Sequence, residues 1–340
     1  MKLLNAYQFQ SSFVRKKMSN LTVRATVICR DPLIIYSGSY LTAGDDNEFL
    51  KLAYELRDKK ITVLKIVAWS AEANPDSKKN IAAWRSSYLE KFPNHRIIFL
   101  SNTYGEVIEL RSLGVETEFI HQNIFIDEEL YKPVSGTTKI YDAVYNGQFL
   151  DFKRHYLAAN ISPLCLIGYN FDTDYGKKVR LEIPHATYSN RLDDSWNFRW
   201  LNQSDVNLIY NQSHVGLCLS KVEGAMHASA EYLLSGIPVV TTLNQGGRDY
   251  FFQGDFVLWS DDKAEAVLNA VQCLKSRNIN PEYIRSETLR KIYRDRNIFF
   301  DFMNKLCGDD PDKIEKMKIT WRETYNDKLL TPKPISHFIE

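Results

Sequence analysis

The chain has 340 residues, with 43 Lys or Arg against 42 Asp or Glu, a formal net charge of +1. So even a balance argues against a dedicated nucleic-acid binder, which carries a basic excess, and the 13 % aromatic content excludes a disordered chain. The length suits about two domains. Five cysteines (Cys29, Cys165, Cys218, Cys273 and Cys307) stand far apart without a CxxC spacing. They signal neither a structural zinc site nor a redox pair and suit a reducing compartment. The N-terminus turns polar too soon for a signal peptide, and no run approaches the roughly 20 apolar residues that span a bilayer. A cytoplasmic protein is expected. Lys2, Arg15, Lys16, Lys17, Arg24 and Arg30 all precede the first acid, Asp31. They form either a surface that rests on anionic lipid at the inner face of a membrane or a solvated basic segment.

In chain order, Val23–Cys29 reads as a strand and Asp46–Arg57 as a helix with apolar residues at helical spacing. Ile61–Val67 is a strand, Lys79–Lys91 a helix and Arg96–Leu100 a buried strand. Ser101-Asn102-Thr103 then caps a helix over Tyr104–Leu113, closed by Gly114, before a strand at Val115–Phe119. Asp127–Gly136 has no period and reads as a linker. The alternation restarts with a strand at Ile140–Tyr145, a helix at Phe152–Ala159 and strands at Leu164–Gly168 and Val179–Ile183. Next come a helix at Asp205–Asn211, a strand at Val215–Ser220 and a helix at Gly224–Leu234 with Gly236 at its C-cap. Ile237–Thr242 and Phe256–Trp259 are strands and Lys263–Lys275 is a helix. Beyond Pro311, Ile314, Met317, Trp321 and Tyr325 form one stripe of an amphipathic helix. Two runs of βαβ units predict an α/β protein of two doubly wound domains across a cleft, with ligands beyond the carboxyl ends of the strands. The expected division is 1–134, 135–310 and a tail, 311–340, that packs back on the first domain.

The most informative stretch runs from Leu217 to Glu231. A buried strand ends, Glu223-Gly224 turns, and a helix of small residues follows with Glu231 eight positions on. A helix from Gly224 puts the two acids about 12 Å apart along its axis on roughly one side. The N–H groups of Gly224 and Ala225 then form an anion site at the helix start. The order is a carboxylate for hydroxyls, an anion cradle, and another carboxylate for hydroxyls, which is the order sugar, diphosphate, ribose. Glu315 and Glu323 have the same spacing but no strand or glycine turn before them.

This pattern resembles the retaining nucleotide-sugar glycosyltransferases of the GT-B fold, the glycosyl transferases group 1 family, whose E-x7-E signature matches Glu223 to Glu231. The likeness includes Ser235-Gly236-Ile237-Pro238-Val239-Val240 and the Gly246-Gly247 pair, and continues back to about Ser101. It implies a GT-B fold of two Rossmann-like domains. It implies transfer of a sugar from a nucleoside diphosphate donor to a saccharide or glycolipid hydroxyl with retained anomeric configuration, in bacterial surface polysaccharide or glycoconjugate synthesis. Glu223 then binds the sugar and helps the transition state, and Glu231 binds the ribose. In Gly147-Gln148-Phe149-Leu150-Asp151-Phe152-Lys153-Arg154, the family's diphosphate-binding Lys falls on Lys153. Its Arg position is Gln148, with Arg154 as a replacement cation. The turn at Gly247 passes close to the donor, and Arg248 is a further candidate cation.

The first half matches less. Gly38 and Ser39 stand nearest to the family's glycine-rich acceptor-side loop, and the His expected after a mid-domain strand is missing from Val67–Glu72. His95 and His121 read as ordinary core or loop residues. His227 either reaches the sugar or packs against the sheet. No metal or cofactor is expected if Lys153, Arg154 or Arg248 and the helix start neutralise the leaving group, since the nucleotide-sugar is itself a substrate. The competing readings are a nucleotide-sugar epimerase of the same plan and a non-catalytic nucleotide-sugar-binding subunit.

Overall fold

The computed structural model describes residues 22–38, 47–67, 70–73, 75–325 and 331–339. The first half comprises β1 (Thr22–Val23), β2 (Ala25–Arg30), β3 (Leu33–Ser37), α1 (Asn47–Glu55), β4 (Ile61–Ile66), α2 (Pro75–Lys91), β5 (His95–Ser101), α3 (Tyr104–Ser112) and β6 (Thr117–Phe119). Its sheet keeps chain order, β2-β3-β4-β5-β6, with β2 antiparallel to β3 and the other pairs parallel. Alternate side chains on a strand point to opposite faces. Ile35, Val63, Ile97 and Phe99 share a core with Phe49, Leu52, Tyr88 and Leu110 of the three helices. Ile34, Tyr36, Leu64 and Leu100 belong to a second core that continues into the other half.

The second half comprises β7 (Tyr141–Asn146), β8 (Leu164–Ile167), α4 (Asp174–Glu182), β9 (Thr187–Tyr188), α5 (Gln203–Asn211), β10 (Ser213–Cys218), α6 (His227–Leu234), β11 (Val239–Thr241), β12 (Val257–Trp259) and α7 (Ala264–Arg277). All six strands are parallel, in the order β12-β11-β10-β7-β8-β9. The chain builds outward from β7 to β9, then returns to the other side of β7 for β10. The strand order therefore reverses at β7, and in open α/β sheets such a switch point, beyond the carboxyl ends of the strands, is where a ligand crevice forms.

Three helices close the molecule: α8 (Pro281–Leu306), α9 (Pro311–Ile319) and α10 (Trp321–Tyr325). Trp321 and Tyr325 stack on Phe125 at 5.6 and 5.7 Å, and Tyr325 meets Tyr36 of β3 at 6.3 Å. Arg296 of α8 donates to the carbonyls of Ile124 and Ile126 and pairs with Glu128. A last strand, β13 (Lys333–Pro334), pairs with β1, and Phe338 of α11 (Ser336–Ile339) enters the first half's core.

Several elements differ from the sequence reading. Val179–Ile183 is not a strand: Thr173 caps α4, and Val179 is a buried position of that helix. Phe152–Ala159 is two 3-10 turns, Asp151–Lys153 and His155–Ala158, because Arg154 between them adopts φ 55°. The amphipathic helix beyond Pro311 breaks at Thr320, although all four residues of its apolar stripe are buried. The 26-residue α8 has no counterpart in the sequence reading. Ser39 and the basic residues Lys2, Arg15, Lys16 and Lys17 lie outside the described residues. No helix among the described residues is long and apolar enough to cross a membrane.

Candidate active site

The crevice between β7 and β10 collects most of the expected residues. Beyond β7 the chain passes Gly147 and Gln148 to the 3-10 turn ending at Lys153, where the Tyr145 hydroxyl donates to the Lys153 carbonyl at 2.6 Å. Beyond β10 it passes Lys221 to Glu223. The Lys153 ammonium and Glu223 carboxylate form a buried ion pair. A buried charge is costly unless paired, so the two residues hold each other in the crevice although 70 positions separate them.

The Glu223 turn is fastened from the side of β11. Val222 and Gln245 form a parallel bridge, the Glu223 N–H donates to the Gln245 carbonyl at 3.1 Å, and the Gln245 N–H donates to Lys221 at 3.0 Å. Gly246 follows at φ +116°, where a Cβ would stand 1.9 Å from the Glu223 carbonyl oxygen. A Cβ on Gly247 would lie 2.8 Å from that of Asn102 in the first half and 3.0 Å from the Gly224 carbonyl. These glycines let three backbone segments meet beside the ion pair.

The helix after Glu223 starts later than the spacing suggests. It begins at His227, after Met226 at φ 40°, so Glu223, Gly224 and Ala225 form a turn outside it and the two acids do not share one helix face. The N–H groups of this turn are therefore arranged differently from those of a helix start. Among the described residues, the buried N–H groups of Gly224, Ala225 and Met226 donate to no acceptor. Successive N–H groups ending at a left-handed residue make an anion-binding nest, and α6 continues from it with its positive end toward the crevice.

Glu231 lies one turn into α6, buried. It accepts from the Tyr210 hydroxyl at 2.8 Å, and that hydroxyl accepts from Asn146 Nδ2 at 2.6 Å. The chain of bonds leads from Glu231 to the end of β7. Gln148, two residues on, is half-buried, and its amide has no partner among the described residues. The Gly147 carbonyl accepts from His155 Nε2 at 3.3 Å. Burial holds His155 neutral, pushing its pKa down to about 3.

Both expected arginine cations are committed elsewhere. Arg154 donates to the Leu219 carbonyl at 2.6 Å and to Thr242 Oγ1 at 2.7 Å, and pairs with Asp262. Arg248 is fully buried and donates to the Ser220 carbonyl, Thr241 Oγ1 and the Thr242 carbonyl, and pairs with Asp249. They clamp the ends of β10 and β11 beneath the Glu223 turn. This corrects their assignment as donor-binding cations: planar five-donor groups satisfy strand-end carbonyls better than an ammonium does. Gly38 bonds to the Arg24 carbonyl at 3.2 Å at the end of β3. His95 packs on Phe92 and bonds to Tyr88 and the Leu56 carbonyl, an ordinary core residue. His227 Nδ1 bonds to Asn123 Oδ1 at 3.0 Å. Tyr210 and Asn123 are absent from the sequence reading, because neither lies within a motif and only the folded chain brings them to α6; Asn146 belongs to the segment that carries Lys153 but has no role assigned there.

No protein-family model matches the chain, and no curated protein does. Solved structures do. HepE from Anabaena, in complex with UDP, superposes with a TM-score of 0.55 at 11 % identity over 76 % of this chain and 82 % of its own. Sucrose-phosphate synthase from Thermosynechococcus elongatus gives 0.52 at 15 % identity over 85 % and 73 %. The chain has the GT-B fold. The pneumococcal O-GlcNAc transferase GtfA, in complex with UDP and GlcNAc, gives 0.53 at 13 % identity over 92 % of this chain and 59 % of that one. Within this GT-B frame, the paired Lys153 and Glu223 stand at the reversal of strand order in the second sheet.

Proposed function

We propose that the protein is a glycosyltransferase that moves a sugar from a nucleoside diphosphate-sugar to a hydroxyl of a saccharide or glycolipid, with retained anomeric configuration. The observation that carries this reading is the Lys153–Glu223 pair beside the N–H groups of Gly224, Ala225 and Met226, which have no acceptor among the described residues. The nest and Lys153 receive the diphosphate, whose charge grows as the glycosidic bond breaks, and their preorganised dipoles stabilise that charge. Glu223, released from Lys153 by the phosphate, turns to the sugar hydroxyls. Glu231, steered by Tyr210, takes the ribose hydroxyls. These cationic groups do the neutralising in our reading, so it predicts activity without a divalent metal. The role in bacterial glycoconjugate synthesis, a cytoplasmic location and peripheral contact with anionic membrane through the N-terminal basic residues belong to the same proposal.

HepE and GtfA are described with UDP, which makes uridine nucleotides the first donors to try. The test incubates the protein with uridine, guanosine, adenosine and cytidine diphosphate sugars and a panel of saccharide and lipid-linked acceptors, with and without EDTA. Product is read by mass and by anomeric proton coupling. We expect transfer with one donor, the donor's anomeric configuration in the product, and no loss in EDTA. An altered donor without acceptor identifies an epimerase. Tight donor binding with no product across all acceptors identifies a non-catalytic binding subunit.

A further inference from the structure

Asn123 sits in the 3-10 turn Gln122–Phe125 that follows the first sheet, and it is fully buried. Its side-chain amide reaches across to the nest of the second half. Nδ2 donates to the Ala225 carbonyl at 2.9 Å, with the Met226 carbonyl at 3.5 Å, and Oδ1 faces His227 Nδ1 at 3.0 Å. An amide oxygen only accepts, so His227 donates from Nδ1. The Asn123 N–H donates in turn to His121 Nδ1 at 3.2 Å, which leaves Nε2 of that buried ring to donate to the Gly247 carbonyl at 2.9 Å. Asn123 and His121, the residue that caps its turn, thus hold both glycine-bearing loops at the crevice.

The consequence follows from the planarity of the peptide bond. In a trans peptide the carbonyl and the next N–H point in opposite directions. Fixing the Ala225 carbonyl on Asn123 therefore fixes the Met226 N–H on the opposite side, away from Asn123. Met226 holds a left-handed φ of 40° although it is not glycine. A bond from outside the turn opposes its relaxation to an ordinary conformation.

We propose that Asn123 is the positioning residue of the anion nest: it does not touch the substrate, but it sets the peptide planes that bind the diphosphate. The inference rests on the reading of the nest given above. Because Asn123 belongs to the segment joining the halves, it also ties nest geometry to the placement of the first half.

The test titrates inorganic pyrophosphate and UDP, GDP, ADP and CDP, with the matching uncharged nucleosides, into the native protein and Asn123→Ala by calorimetry. Loss of one positioning hydrogen bond corresponds to roughly tenfold weaker diphosphate binding. We expect that loss for pyrophosphate and for the preferred nucleoside diphosphate, and unchanged nucleoside affinity. A merely structural role would shift all three together or none. Asn123→Asp keeps the shape but replaces the donor with a carboxylate oxygen, and it is the variant to use if Asn123→Ala melts far below the native protein. Either folded variant binding pyrophosphate as tightly as the native chain overturns the role of Asn123. A native chain that binds neither pyrophosphate nor any nucleoside diphosphate overturns the nest itself.

Discussion

The two sheets are built from the same βαβ grammar but differ in strand order, and the difference decides where chemistry gathers. In the first, strands β2 to β6 follow one another. In the second, the order reverses at β7, and the Lys153 and Glu223 loops meet in the crevice so made. The corresponding end of the first sheet is closed on itself. The Glu106 carboxylate accepts from the Ala71 and Asn102 N–H groups at 2.8 Å each, and Glu72 lies over the start of α3 against Thr103. One set of N–H groups is satisfied by the protein's own acids, and the other, at Gly224, Ala225 and Met226, has no acceptor among the described residues.

That contrast breaks most visibly at the ion pair. Lys153→Met is expected to lower turnover by roughly a hundredfold, the scale of a lost electrostatic stabiliser, and to lower the melting temperature by stranding a buried carboxylate. Lys153→Met with Glu223→Gln should recover the melting temperature and not the turnover. Recovery of both would make the pair a structural feature. Next in size, Arg248→Ala is expected to destabilise the fold by about 3 kcal/mol, as for other broken buried pairs, measured by chemical denaturation. A stable variant with weakened nucleotide binding would return Arg248 to the donor site.

Glu231→Gln is expected to weaken nucleoside diphosphate binding several-fold and leave pyrophosphate binding unchanged, since the ribose contact alone is lost. Equal loss for both would place Glu231 at the phosphates.

The smallest effects are in pH dependence, and the buried acid and the buried histidines should differ in sign. Burial pushes the Glu106 carboxyl from 4.5 up to about 7. The folded chain keeps this proton through a window in which the unfolded chain has lost it, so stability falls as pH rises from about 4.5 to 7. Burial pushes His121 from 6.5 down to about 4 and His155 down to about 3. There the unfolded chain takes up protons first, so stability falls as pH drops below about 6.5. Melting curves of Glu106→Gln should lose the first slope and those of His155→Phe part of the second. Unchanged slopes would mean that these groups titrate alike in both states.

How much was legible in the sequence follows from what kind of signal each feature carries. The strand, glycine turn and small-residue helix around Glu223 are local, and the alternation of β-branched runs with helical periods marks most strands. Dense charges along the 26-residue α8 mask its apolar stripe, and Val179 and Ile183 look like a β run because few apolar residues of α4 precede them. Arg154 and Arg248 stand beside Lys153 and Gly247 in sequence and look like phosphate ligands. Only the folded positions of Leu219, Ser220, Thr242 and Asp262 reveal that carbonyl, hydroxyl and carboxylate oxygens at the strand ends occupy both guanidinium groups. The start of α6 shifted by three residues because Gln245 draws the Glu223 backbone into a bridge that a helix would not permit.

The most direct measurement is the amide spectrum of protein labelled with nitrogen-15 at glycine and alanine, recorded during addition of the nucleoside diphosphate that binds. The account predicts large downfield shifts at Gly224 and Ala225, with Ala71 and Gly105 at the end of the first sheet unmoved. Shifts confined to the first sheet's residues, with Gly224 and Ala225 silent at saturation, would contradict it.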